Sequence, residues 1–322
     1  MHAVSEPKVA VLGAGEIAAT FSYGLLLSGL ETELLIVDRA RDHAEELALE
    51  LQQALLFSSP RKIHAGTIAE AAAADLIVIC GGQQRNLSTA EFQQENLHIV
   101  QALAAEIPGT HSSAIILVGA PPLDLLTFAA WKLSGLPREQ VFGSGTVETS
   151  ATLRYMLGKH FRVDPGSVHA YVLGGDGGEV PIWSSASIAG MSVKEACKAH
   201  GCPDAVLQSL FHDVQARVSP PHLGQIGHIS AGAGLLRLAT AVLRNENHIF
   251  TVSTVLRNEY GIRNAAFSVP AVIGRNGIDR ILHVELGDEE VAELLACGRR
   301  YEEAIANANL PEYHGTTVNE VC

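Results

Sequence analysis

The stretch Lys8–Asp38, KVAVLGAGEIAATFSYGLLLSGLETELLIVD, decides how this chain folds. Lys8–Leu12 is a short apolar run with β-branched residues, which reads as a buried parallel strand. It runs into Gly13-Ala14-Gly15-Glu16-Ile17-Ala18 and then into a helical pattern that reaches Gly29. A second apolar run, Glu33–Val37, ends on Asp38. Strand, glycine turn, helix, strand and terminal carboxylate together make one βαβ unit. Each part has a physical task. Gly13 permits the tight turn, Gly15 lets the backbone come close to a pyrophosphate, and small Ala18 lets the helix pack on the strand. The first helical N–H groups, in the turn that holds Glu16 and Ile17, have no intrahelical partner and face the phosphates. Asp38 stands where it accepts hydrogen bonds from a ribose diol and repels a 2′-phosphate, although Arg39 beside it could meet one. Alone this glycine spacing is a weak signal; inside a βαβ unit it is strong, and it points to NAD.

Working outward, the same alternation continues. Arg41–Phe57 repeats leucines at helical spacing, Ile63–Ala65 is a weak strand and Ala69–Ala74 an alanine-rich helix. Asp75–Cys80 is a strong buried strand ending on Gly81-Gly82, a second glycine pair for the cofactor. Glu91–Ile107 is a helix stopped by Pro108-Gly109; Ser113–Val118, Asp124–Leu133 and Gln140–Phe142 follow as strand, helix and strand. The expected architecture is α/β, with a Rossmann-type doubly wound parallel sheet over 1–145. From Gly143 the rhythm changes. Helix Thr149–Leu157, strand His169–Leu173, loop Gly174–Pro181 and helices Ser192–Ala199, Asp204–Val218 and Leu223–Leu243 come next. Strands Ile249–Val255 and Phe267–Ile273 and a charged helix, Asp288–Ala308, complete a second, mixed α+β domain over 146–322.

Composition bounds the partners. The 322 residues are 47% hydrophobic, enough for two domains sharing an extensive core. With 35 acidic against 22 basic residues and a net charge of -13, the chain carries no basic cluster that would suit nucleic acid or an anionic membrane surface. MHAVSEPK has no apolar leader core, and no apolar run approaches the length of a membrane span. The five cysteines, Cys80, Cys197, Cys202, Cys297 and Cys322, have no CxxC spacing and read as reduced thiols of a cytoplasmic protein. The histidines, His64, His98 and His248 among them, show no metal spacing, so no metal is expected.

Several segments in order, LGAG at the first turn, FAAWKLSG (Phe128–Gly135), FGSGTVETSATLRY (Phe142–Tyr155), HAYVLGGDGGEVPIWS (His169–Ser184) and FSVPAVIGRNGIDRIL (Phe267–Leu282), resemble the lactate/malate dehydrogenases. The resemblance covers nearly the whole chain. It implies NAD binding, hydride transfer to 2-oxo acids, and a homodimer or homotetramer built partly on the Arg41–Phe57 helix. It also implies a catalytic set that this chain departs from. The family's proton-donating histidine lies in a motif resembling LGEHGDS; here the motif is Leu173-Gly174-Gly175-Asp176-Gly177-Gly178-Glu179, and Asp176 stands at the histidine's place. The aspartate that orients that histidine and the arginine that grips the substrate carboxylate fall on Thr149 and Thr152. The arginine that polarises the carbonyl aligns with Thr89, and the asparagine of the NPVD motif becomes Pro121. Arg85, in GGQQRN, matches the arginine that reads the distal carboxylate in malate-type members.

A carboxylate at Asp176 changes the chemistry, because imidazole exchanges protons near neutral pH and an ordinary aspartate arrives ionised. Loss of a guanidinium at Thr152 removes a bidentate clamp on a substrate carboxylate. Two positive readings follow. In one, ionised Asp176, with Glu148 and Glu179 nearby, faces a cationic substrate such as an iminium ion. In the other, His228, which aligns with a substrate-lining family position, pairs with Asp176 and rebuilds an acid/base couple for a carbonyl or alcohol. Plainer assignments stay open: Asp176-Gly177 suits a turn, Arg85 suits a solvated loop, His228 suits helix packing, and His169 suits a strand. Three functions therefore stand: an NAD-dependent oxidoreductase acting on a small-molecule substrate other than a standard 2-oxo acid, a catalytically silent NAD-binding protein, and a redox-neutral enzyme that uses NAD transiently.

Overall fold

The decisive stretch becomes β1 (Lys8–Leu12), α1 (Glu16–Leu27) and β2 (Glu33–Val37) in a computed structural model that describes residues 6–58, 61–81, 89–107, 113–175, 178–203, 205–218, 227–307 and 310. The alternation then runs through α2 (Arg41–Ala54), β3 (Ile63–Ala65), α3 (Ile68–Ala72), β4 (Leu76–Ile79) and α4 (Thr89–Glu106). β5 (Ile115–Val118), α5 (Leu123–Ser134) and β6 (Val141–Gly143) close this half. Every pairing among β1 to β6 is parallel, as expected for apolar strands covered on both faces. One core joins α1 and α2 to the sheet through Phe21, Leu25 and Leu47; the other joins α3, α4 and α5 through Ala71, Leu103 and Leu126. That is a doubly wound sheet. Thr67 and Glu70 form a capping box that fixes the start of α3.

Beyond Gly143 come α6 (Val147–Phe161), β7 (Val168–His169), β8 (Val172–Leu173), β9 (Val180–Pro181), β10 (Ser187–Ile188) and β11 (Met191–Ser192). α7 (Val193–Ala199), α8 (Ala205–Val218) and α9 (His228–Arg244) follow. β12 (His248–Arg257), β13 (Arg263–Gly274), β14 (Gly277–Ile281) and α10 (Asp288–Asn307) end the described elements. The expected strand His169–Leu173 is two pieces, because the chain changes partners at Ala170-Tyr171: β7 pairs with β10, and β8 pairs with β9. His169 itself is exposed. The helix expected from Leu223 is described from His228 onward; 219–226 lie outside the described residues.

The sheet does not stop at β6. Among the described residues its order is β14-β13-β12-β6-β5-β4-β1-β2-β3, so the late strands extend the nucleotide-type sheet in antiparallel fashion. The seam is Gly143 opposite Ser253. A Cβ at Gly143 would lie 2.4 Å from Thr127 Oγ1 and 3.2 Å from Ser253 Cβ, so the join depends on a residue without a side chain.

α9 lies beside α1 and runs in the same direction. His228 meets Glu16, Gly232 meets Thr20, Leu236 meets Gly24, and Arg244 donates to the Ser28 carbonyl at 3.2 Å. A Cβ on Gly232 would come within 2.7 Å of Thr20, which explains how closely the two helices approach. Their N-terminal, electropositive ends therefore lie together. At the far end of α2 the chain exposes Leu56 and Phe57 at 83% and 90%.

Candidate active site

The nucleotide lip is built where β1 hands over to α1. Gly13 has φ +107°, and a Cβ there would stand 2.0 Å from the Gly81 carbonyl oxygen, so no other residue fits this crossing. Gly13 N–H donates to the Val37 carbonyl at 2.7 Å, which draws the end of β2 against the turn. Gly15 is the N-cap of α1 in an extended conformation, and no side chain caps the helix. The α1 N-terminus is thus open for phosphate oxygens. Ile17 packs toward the core beside Ala14, while Glu16 reaches outward.

Asp38 is held rigidly. One carboxylate oxygen accepts from Ala14 N–H at 2.8 Å and the other from Ala40 N–H at 2.9 Å. This orientation suits a ribose diol, because each oxygen keeps a second lone pair. Arg39, the residue that could have met a 2′-phosphate, is engaged by Glu95 of α4 at 3.0 Å. Across the lip, buried Asn96 donates to the Pro121 carbonyl at 2.7 Å and lies against Gly81. Nothing in the sequence marked Asn96, a polar residue in an otherwise ordinary helix. The cradle fits a dinucleotide: a side-chain-free crossing, an open helix end and an oriented carboxylate. Gly82 lies outside the described residues.

On the substrate side, α6 carries Glu148, Thr149 and Thr152 in its first turns. Thr149 is buried and donates to Glu179 Oε1 at 2.6 Å, tying α6 to the far side of the Gly174–Glu179 loop. Thr152 is half-buried one turn later. Glu148 accepts a hydrogen bond from Ser230 of α9, and burial pushes its carboxyl above the ordinary range despite that bond. Ser230 also reaches the Gly227 carbonyl at 3.2 Å. The loop is anchored from below: Gly174 and Ser268 exchange backbone hydrogen bonds at 3.1 and 2.7 Å, and Gly175 packs directly on the buried Asp124 carboxylate. Ser253 donates to that carboxylate at 2.5 Å. Asp176 and Arg85 lie outside the described residues, and with them the expected pairing of Asp176 with His228. His228 is placed against Glu16, its Nδ1 3.5 Å from Glu16 Oε2.

The N-termini of α1, α6 and α9 thus converge, with Glu16 and Glu148 both reaching the first turn of α9. The sequence expects Glu148 near the pocket but cannot show its partner, since Ser230 is distant in the chain. Two cavities lie away from this region. One of about 300 Å³ is bordered by Arg138, whose guanidinium is taken by Glu139 and Glu259; one of about 670 Å³ lies between Phe128 and the end of α10. Neither combines an anion cradle with converging acids. Among the described residues no cluster suits a metal ion, and no helix is long and apolar enough to cross a membrane. Among the described residues Cys80, Cys197, Cys202 and Cys297 form no disulfide with one another.

Comparison with known proteins agrees with this geometry. Residues 7–143 match the NAD binding domain of the lactate/malate dehydrogenases, and residues 150–309 match the alpha/beta C-terminal domain of the same family. An L-lactate dehydrogenase of Acetivibrio thermocellus is 33% identical over 309 residues, covering 94% of this chain and 98% of the relative. One from Treponema denticola is 35% identical over 316 residues, covering 94% and 98%. Among solved structures, the ligand-bound minor L-lactate dehydrogenase of Enterococcus mundtii superposes with a TM-score of 0.88 at 26% identity, over 95% of this chain and 99% of that one. A lactate dehydrogenase from a Medee basin deep-sea metagenome library gives 0.84, also at 26% identity, over 94% and 98%. With both halves matched and the dinucleotide cradle in place, the chain belongs to the lactate/malate dehydrogenase family as an NAD-binding oxidoreductase.

Proposed function

We propose that the chain moves hydride between NAD and a small polar substrate that is not a 2-oxo acid, and that this substrate is an imine or amine bringing its own positive charge. What supports the reading is a pair of carboxylates tied to the first turn of α6, Glu148 on that helix and Glu179 on the loop after β8. Glu148 is half-buried at the head of α6, and Glu179 takes the Thr149 hydroxyl at 2.6 Å. Asp176 belongs to the same loop in sequence, at the position where 2-oxo-acid members of the family keep their histidine. NAD, when bound, supplies the hydride donor or acceptor at nicotinamide C4. An iminium ion already carries the proton an imidazole would deliver, so the protein has only to hold the charge with carboxylates. Thr152 offers a hydroxyl where a guanidinium would grip a carboxylate, while buried Thr149, at the place of the family's histidine-orienting aspartate, gives its hydroxyl to Glu179. A 2-oxo acid loses about 1.5–3 kcal/mol for each charged hydrogen bond it cannot make. Arg85 is assigned to an anionic end of the substrate.

A second reading has one observation in its favour. Burial raises Glu148, and a carboxyl that keeps its proton to higher pH can donate it to a carbonyl oxygen. On that reading the substrate is a ketone or aldehyde without a carboxylate beside the reacting carbon.

NADH oxidation with a panel of cyclic imines, uncharged ketones and 2-oxo acids separates the two. Turnover of imines with loss of activity in Asp176→Ala supports the first; turnover of uncharged ketones abolished by Glu148→Gln supports the second. Brisk reduction of pyruvate or oxaloacetate overturns both. Binding of NAD with no turnover across the panel points to the silent protein, and product formation at constant NADH to the redox-neutral enzyme. The expected homodimer or homotetramer is assigned to the face that exposes Leu56 and Phe57, beside α2.

A further inference from the structure

Two neighbouring side chains pin the head of α6 in different directions. Thr149 gives its hydroxyl to Glu179 on the loop after β8, at 2.6 Å, while Glu148 accepts from Ser230 in the first turn of α9. Glu148 is half-buried, and burial alone drives a carboxyl to keep its proton. Three features favour the ion instead. Glu148 sits in the first turn of α6 and reaches the first turn of α9, both electropositive helix ends. The third is the Ser230 hydrogen bond, which lowers the proton affinity that burial raises. Ser230 has one hydroxyl hydrogen and two acceptors within reach, Glu148 Oε1 and the Gly227 carbonyl at 3.2 Å. A carboxylate is the stronger acceptor, and the Gly227 carbonyl keeps the Ala231 N–H at 3.3 Å. Oε1 is thereby tied, while Oε2 makes no hydrogen bond to the described residues.

We propose that Ser230 is a positioning residue: its hydroxyl keeps Glu148 ionised, fixes Oε1, and leaves Oε2 as the oxygen that meets the positive centre of the substrate. The inference deepens the imine reading above and rests on it for the nature of that cation. The other charged groups near these helix heads are engaged elsewhere. His228, on α9, faces Glu16 of α1, and Glu179 takes the Thr149 hydroxyl. Among the described residues no charged side chain from α1, α8, α9 or β12 adds to burial and the Ser230 bond in shifting Glu148. Without the serine, burial prevails, the carboxyl holds its proton to higher pH, and a neutral acid meets the incoming cation. The loss is one of charge rather than of shape, so high pH restores what Ser230→Ala removes.

Infrared spectroscopy of the full chain tests the protonation step without any substrate. The C=O stretch of protonated Glu148 is isolated as the difference between the native chain and Glu148→Gln, and followed with pH. Its midpoint is expected to move to higher pH in Ser230→Ala and to return toward the native position in Ser230→Thr. The cation is tested with NADH and N-methyl-1-pyrrolinium, an iminium ion whose charge does not titrate. Ser230→Ala is expected to raise its KM about three- to tenfold below the shifted midpoint, with kcat kept and the native KM regained above it. The inference is overturned if the Ser230→Ala midpoint coincides with the native one, if Ser230→Thr fails to restore it, or if the KM defect persists undiminished at high pH. A moved midpoint in a chain that neither binds nor reduces the pyrrolinium upholds the hold of Ser230 on Glu148 and overturns the imine reading instead, so the two failures are distinct.

Discussion

Glu148 is a carboxyl group largely withdrawn from water, with the Ser230 hydroxyl donating to it among the described residues. Its folded-state pKa lies above the ordinary value, so the folded chain binds this proton more firmly than the unfolded one. Stability from this group is complete below the ordinary carboxylate range, falls as pH rises through the folded value, and stays reduced above it. Replacing Glu148 by Gln removes the ionisation while keeping an oxygen for Ser230. Urea denaturation should show the Gln variant more stable than the native chain near pH 8, the gap closing toward pH 4. A gap of the same size at both pH values would contradict the assignment. At this scale the sequence was legible wherever neighbours in the chain make the site. Gly13, Gly15 and Asp38 sit in one βαβ unit whose geometry is local: the first lies at the crossing with Gly81, the second caps α1, and the third accepts from Ala14 and Ala40. Glu16 with His228 and Glu148 with Ser230 come from segments far apart, and no periodicity announces such pairs.

At the scale of elements, the seam between α1 and α9 matters most, because it brings the helix ends of the two halves together. A valine at Gly232 would drive its side chain into Thr20, where even a Cβ sits 2.7 Å away. Overpacking of this kind costs about 1–3 kcal/mol, and the helices can relieve it only by separating. Gly232→Val should therefore lower the denaturation midpoint and weaken NAD binding several-fold, whereas Gly234→Ala, with open space at its Cβ position, should do neither. Equal NAD affinity in Gly232→Val and the native chain would show that the seam does not set the lip. Most elements could be read from the pattern: apolar runs gave β1, β2, β4 and β5, and leucine spacing gave α2. Others escaped. β14 opens on the glycine of Asn276-Gly277, a hairpin signal that its short polar strand, GIDRI, obscured. The break between β7 and β8 has no local marker, since it reflects a change of strand partner.

For the whole molecule, the hydrogen-bonded sheet runs from β3 to β14 without interruption, with Gly143 opposite Ser253 at the join. Ser253 in turn holds Asp124, on which the Gly174–Glu179 loop rests. A chain built this way should unfold as one cooperative unit. Calorimetry is expected to give a single transition, and NAD at a hundredfold excess over its dissociation constant should raise the unfolding free energy by about 2.7 kcal/mol across that whole transition. Two transitions, of which NAD moves only the first, would show that the halves are energetically separate. The continuous sheet also bears on how a new chemistry could arise here. With the late strands joined to the nucleotide-side strands in one plate, the sheet itself has no break among the described residues, so a lineage seeking a different substrate would most simply exchange the tips of side chains around that shared frame. Carboxylates gathered at neighbouring helix heads are the mark such tinkering would leave.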